Sequence, residues 1–109
     1  MSSTQTYVRR NATPQTIPVG SSYDSGTYPV QQNKYCLALL YSDVGGVLKV
    51  EQKNSSSNNW HVTDECMVKN GVPARLVSEL VLEEVKVRYE MESQGPSTLE
   101  LYTLLKGDR

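Results

Sequence analysis

The 109-residue chain has no phenylalanine and only one histidine, one tryptophan and two cysteines, and each scarcity removes a class of chemistry. With His61 alone, a multi-histidine metal centre cannot form, and a histidine-dependent nucleophilic triad would have to be built around this one residue. No partner of suitable spacing accompanies it. Cys36 and Cys66 lie far apart, with no CxxC or Cys/His spacing, so neither a zinc site nor a disulfide framework is written into the chain. They read as two buried free thiols on separate strands, the alternative being one cross-sheet disulfide. Charge of one sign is lacking too: 11 Lys and Arg stand against 12 Asp and Glu, which leaves no broad basic footprint for nucleic acid or an anionic membrane. No apolar run approaches the length of a membrane-spanning helix, and residues 1–10 lack the apolar stretch of a signal peptide, so export by that route is not expected. Nucleotide-binding glycine motifs are missing as well.

What is present is strand patterning. Residues 85–92 alternate apolar and charged without an error, so Val85, Val87, Tyr89 and Met91 are expected to face a core, with Lys86, Arg88, Glu90 and Glu92 facing outward. A helix over residues 76–91 is disfavoured because its apolar face would also take in Glu83 or Glu84. Residues 34–42 run apolar on both parities through Cys36, Leu37, Ala38, Leu39, Leu40 and Tyr41, which predicts a central strand. A glycine-bearing loop at residues 43–46 then predicts a hairpin to residues 47–52, with Leu48 and Val50 inward. Polar residues 53–59 form a loop. Trp60 and Val62 are expected inward on the next strand, with His61 outward, and Asn70-Gly71 marks a turn. Residues 74–82 and 98–105 supply two more strands, the second presenting Leu99, Leu101 and Leu105 to one face. Near the start, residues 16–19 suit an edge strand, and residues 23–30, with Gly26 and Pro29, a bulged or edge strand.

About eight short strands without a helix predict an all-β fold, an antiparallel β-sandwich or jelly roll, spanning residues 15–109 as one domain. Residues 1–14 are too poor in apolar groups to order alone and read as an N-terminal arm, either a disordered tail or a segment that orders on a neighbour through Tyr7, Val8, Arg9 and Arg10. Acidic pairs such as Glu90 and Glu92 share a strand face, but alternating charges on a strand describe a solvated surface. No catalytic residue, metal ligand or cofactor is assigned.

Several pieces in order carry a resemblance: Ile17-Pro18-Val19-Gly20, then Tyr28-Pro29-Val30, residues 37–42, the run from Gly46 through Val47, Leu48, Lys49, Val50 and Glu51 to Gln52, Asn59-Trp60, Val87-Arg88-Tyr89, and Leu99-Glu100-Leu101-Tyr102. In this sequence they resemble the small β-sandwich structural proteins of tailed bacteriophages, of the capsid decoration or cement type. Residues 53–58 depart from the Ser-x-Asp-Gly-type turn frequent before Asn-Trp in such sequences, although Asn and Ser also support turns. The resemblance implies a non-enzymatic virion protein that binds the major capsid protein on the outer capsid surface. It also implies a homo-oligomer, with a trimer favoured; the balanced charge, for its part, gives no expectation of a nucleic-acid or membrane partner. Tyr7, Val8, Arg9, Arg10 and the outward Arg88 are the residues expected to meet that partner. A carbohydrate-binding or fibre module, and a head-to-tail or baseplate component, are the alternatives.

Overall fold

Nine strand segments make up the fold in a computed structural model, which describes residues 22–92 and 99–107 together with the backbone of residues 7–13. In chain order they are β1 (Tyr7–Thr13), β2 (Ser22–Asp24), β3 (Tyr28–Pro29), β4 (Tyr35–Ser42), β5 (Gly46–Lys53), β6 (His61–Val68), β7 (Ala74–Glu79), β8 (Glu84–Met91) and β9 (Leu99–Lys106). One sheet, sheet A, runs β1-β9-β4-β7; the other, sheet B, runs β2-β8-β5-β6, with β3 also paired to β8. Every pairing is antiparallel. Counting β2 and β3 as one interrupted edge strand, this is the strand order of an eight-stranded jelly roll, and no helix occurs among the described residues.

The alternation that predicts a half-buried strand is realised in β8, where Val85, Val87, Tyr89 and Met91 are buried. Leu99, Leu101 and Leu105 of β9 meet them from sheet A, with Cys36, Ala38 and Leu40 of β4, while Leu48 and Val50 of β5 complete the sheet B side. Removing each such side chain from water contributes roughly 1.5–3 kcal/mol for the larger ones, and this layer holds the sheets together. Tyr89 is the largest fully buried side chain; its hydroxyl donates to the carbonyl of Val44, in the connection between β4 and β5.

Four expectations are corrected by the fold. β4 and β5 do not form a hairpin: the chain crosses between sheets through residues 43–45, so Leu40 and Leu48 share the inter-sheet core. Two inward-facing apolar rows bury more surface stacked across a core than laid side by side in one sheet. Gly46 makes the entry into β5 possible, since a Cβ there would lie 2.0 Å from the Glu90 carbonyl oxygen. Second, residues 7–13 of the expected arm form β1, paired with β9 from Tyr7↔Leu105 to Thr13↔Leu99. Backbone hydrogen bonding to an existing strand orders a segment too polar to fold alone. Residues 1–6 and the expected edge strand at residues 16–19 lie outside the described residues. Third, the strand expected over residues 74–82 stops at Glu79. Beyond it, Gln52 Oε1 accepts the backbone N–H groups of Val81 at 2.8 Å and Leu82 at 3.1 Å, so the chain bonds to a side chain in place of a sheet ladder.

The fourth concerns Trp60 and Val62. The β5–β6 register shifts between Val50 and Glu51, with Val50 opposite Asp64 but Glu51 opposite Val62. One extra residue reverses the facing of what precedes it. Val62 is therefore exposed, and Trp60 sits half-buried outside the core with Lys86 Nζ 4.5 Å and Lys53 Nζ 5.6 Å from its ring centroid.

The edge of sheet B matches the bulged edge strand expected over residues 23–30. Between β2 and β3 the chain breaks at residues 25–27, where Gly26 takes φ 91°. Ser25 spans the break: its N–H donates to the Val87 carbonyl at 2.9 Å, and its Oγ accepts the Val87 N–H at 3.0 Å.

Candidate protein-binding face

The outer face of sheet B is ion-paired across β5 and β8, although β6 of the same sheet leaves Val62 and Met67 exposed. On sheet B, β8 and β5 present the outward residues of two alternating strands, and these pair with one another. Arg88 Nη2 lies 2.8 Å from Glu51 Oε2 and 3.0 Å from Glu90 Oε2, Lys49 Nζ is 2.7 Å from Glu90 Oε1, Lys53 Nζ is 3.2 Å from Glu84, and Lys86 Nζ is 3.6 Å from Asp24. Hydrogen bonding from Lys49, aided by the charges of Arg88 and Lys49, holds the Glu90 carboxyl below the usual carboxylate range against a smaller opposing effect of burial. Glu51 is nearly buried beneath this lattice; its contact with Arg88 is ionic and off the hydrogen-bonding direction. Arg88, expected as a contact for a partner, is thus committed to carboxylates of its own sheet.

Sheet A carries the reverse pattern. The parity that buries Cys36, Ala38 and Leu40 sends Tyr35, Leu37, Leu39 and Tyr41 of β4 outward, and Leu39 and Tyr41 are 44% and 37% exposed. Val77, on the neighbouring β7, is 44% exposed. The pairings of β4 assemble cross-strand rows: Glu79, Tyr35, Lys106; then Val77, Leu37, Leu104; then Arg75, Leu39, Tyr102; and last Tyr41 beside Glu100. The Val77 row is thus wholly apolar, and the Leu39 row is apolar but for Arg75 at its β7 end. Leu37, Leu39, Arg75, Tyr102 and Leu104 line an open hollow of about 270 Å³ on this surface. Tyr102 donates its hydroxyl to Glu100 Oε1 at 2.9 Å, which leaves its ring as one wall of the hollow.

An antiparallel sheet with one face in water is ordinarily polar on that face. Here the central strand of sheet A puts leucines there. The signal for this was in the sequence, in the both-parity apolar run 36–41, which predicts a central strand without saying what covers its second face. Residues 7–10, expected to meet a partner, run along the border of the same sheet, with Val8 opposite Leu104 and Arg10 opposite Tyr102.

Among the described residues no cluster of three or more His, Cys, Asp or Glu side chains is placed to hold a metal ion, and His61 is exposed. Cys36 and Cys66 are free thiols, the first buried in sheet A and the second half-buried in sheet B. Burial pushes Cys36 up to about 12 and raises Cys66 as well, which is the opposite of thiol activation.

Fold and surface together define a jelly-roll sandwich, ion-paired on β5 and β8 of one sheet and apolar along the central strand of the other. Solved structures share the fold. The PBSX exported protein XepA superposes over 93% of this chain with a TM-score of 0.80 at 18% identity, and this chain spans only 38% of XepA. The SPBc2 prophage-derived protein YomS matches 97% of this chain and 96% of its own length, with a TM-score of 0.58 at 8% identity. A subunit of the disulfide-linked pili that form Bacillus endospore appendages matches 96% of this chain and 90% of its own, with a TM-score of 0.55 at 10% identity. Neither protein-family models nor curated proteins match the sequence.

Proposed function

We propose that the protein is a non-enzymatic structural component of a phage-type particle, a decoration protein that binds major capsid protein subunits on the outer shell and stabilises them. The observation that carries a binding role is the apolar outer face of sheet A, where Leu37, Leu39, Tyr41 and Val77 are set on a rigid central sheet with charged residues at its borders. A contiguous apolar surface rimmed by polar groups is the mark of a protein interface. The phage origin is supported by the fold shared with XepA and YomS and by the sequence resemblance to phage β-sandwich proteins. The role needs no side chain to do chemistry. On this reading β1, at the border of the same sheet, brings Tyr7, Val8, Arg9 and Arg10 to the edge of the interface.

The test is co-sedimentation with empty shells of the same particle, comparing wild type with Leu39→Lys. Burying a lysine in an apolar contact is expected to lower shell occupancy at least tenfold at limiting concentration, with an unchanged melting temperature. Equal occupancy of the two would remove the face from any attachment role.

Trp60, outside the core, favours a second reading in which an aromatic face stacks a sugar ring. Against it, Lys86 Nζ already stands over the Trp60 ring. A shift of Trp60 fluorescence on adding oligosaccharide would support sugar binding.

A further inference from the structure

Charge order on the outer face of sheet A says what covers it. Along β9 the outward residues run Glu100, Tyr102, Leu104, Lys106, negative at one end and positive at the other; along β7 they run Arg75, Val77, Glu79. The outward residues of β4 between them are Tyr35, Leu37, Leu39 and Tyr41, an order unchanged when read backwards. Among the described residues, two positive side chains, Arg75 and Lys106, and two negative ones, Glu79 and Glu100, stand around the apolar centre of the face.

We infer that this face binds the same face of a second copy of the chain, in a two-fold dimer that stacks sheet A on sheet A. The two-fold axis lies in the plane between the sheets, across the strands, midway between the Leu37 and Leu39 rows. A half-turn about it exchanges the Tyr35 row with the Tyr41 row. Lys106 then lies over Glu100 of the second copy and Glu100 over its Lys106, while Leu37 packs on Leu39 and Leu104 on Tyr102. Glu79 comes within one row of Arg75 of the second copy. An isologous contact requires a surface complementary to itself, and both the charge order and the tyrosine-leucine-leucine-tyrosine order satisfy that. The open hollow on each copy is filled by the leucines and Tyr102 ring of the other.

Size agrees. The four strands, seven, eight, eight and six residues long, lie about 4.8 Å apart at about 3.3 Å per residue and make a plane of about 460 Å², so a stacked pair removes about 900 Å², near the lower bound for a specific interface. A partner of unrelated shape would have to match an apolar centre and two oppositely ordered borders at once; a second copy matches them by symmetry.

This inference rests on the reading of the face as a protein interface and names its occupant as the second copy; the shell then meets the dimer at other surfaces, and Leu39→Lys lowers shell occupancy by losing the paired copy's contacts. The experiment is sedimentation velocity of the full chain across a concentration series, with Leu39→Lys, Lys106→Glu, Glu100→Lys and the Lys106→Glu/Glu100→Lys double variant. The expected result is a wild-type dimer, a folded monomer in Leu39→Lys with an unchanged circular dichroism spectrum at 25 °C, at least a tenfold weakening in each single charge reversal, and recovery in the double. A monomer at every concentration, a trimer, or a dimer insensitive to Leu39→Lys overturns it. Shell co-sedimentation of the same variants separates the two levels. If wild type is monomeric and Leu39→Lys still loses shell binding, the face meets another protein and only the dimer falls. If Leu39→Lys changes neither measurement, the interface reading falls with it.

Discussion

Gln52, near the end of β5, holds the N–H groups of Val81 and Leu82 on its side-chain oxygen, so one buried amide anchors the middle of the connection from sheet A back to sheet B. Its nitrogen is equally engaged, donating to Thr63 Oγ1 at 2.9 Å and to the Glu79 carbonyl at 3.0 Å. Gln52 is wholly buried, and its polar side chain survives there because both ends are satisfied. Gln52→Leu, similar in volume, strands those partners together. The expected cost is roughly 3 kcal/mol, from buried donors and acceptors worth about 1–3 kcal/mol each when left unpaired. Urea titration checks it, and a variant as stable as wild type would show that solvent replaces the amide.

Arg88 and Val87 are neighbours on opposite faces, yet both are expected to be sensitive. Val87→Asp places an unpaired charge in the core. Arg88→Glu turns the cation beside nearly buried Glu51 into a second carboxylate, with Glu90 a third, and is expected to cost about 3 kcal/mol. Adding Glu51→Arg to Arg88→Glu should recover part of the loss. Thermal melts of the single and double variants decide it; an Arg88→Glu variant that melts like wild type would mean the pairing contributes nothing.

Truncation of residues 1–13 removes β1 and with it the ladder along β9 from Leu105 to Leu99. β9 then becomes a sheet edge and its buried leucines lose a flank. The melting temperature should fall by at least about 10 °C, given that 1 kcal/mol moves a domain of this size by about 4–8 °C. An unchanged melt would show that β1 adds nothing to the sandwich.

Cys36 makes stability depend on alkaline pH. Its thiol is raised from 9.0 to about 12 by burial, so the folded state holds the proton more tightly than the unfolded chain. That contribution is complete below pH 9 and is lost as pH rises towards 12, at about 1.4 kcal/mol per pH unit. Tyr89, raised chiefly by burial, adds a loss of the same sign at higher pH. Cys36→Ala should be less stable at pH 7, by the cavity it leaves, but should show a shallower decline between pH 9 and 11. Equilibrium urea unfolding at several pH values gives both slopes, and parallel slopes would place the titration elsewhere.

The sequence by itself determined the strands and the inner face of most of them. Perfect alternation in residues 85–92 has one physical outcome, because side chains on a strand point to opposite sides with period two, and Val85, Val87, Tyr89 and Met91 are buried as that requires. Leu99, Leu101 and Leu105 follow for the same reason, as does the interrupted edge strand around Gly26. Only the tertiary structure decided which strands are neighbours, since the 43–46 loop suits a hairpin or a crossing equally and the choice turns on how much apolar surface each arrangement buries. It also decided the facing of Trp60, which a single extra residue in β6 reverses without disturbing the local pattern. The same holds for the apolar run of β4: alternation identifies two faces, but whether the second is covered depends on what packs there, and in sheet A the described residues of this chain leave Leu39 and Tyr41 exposed.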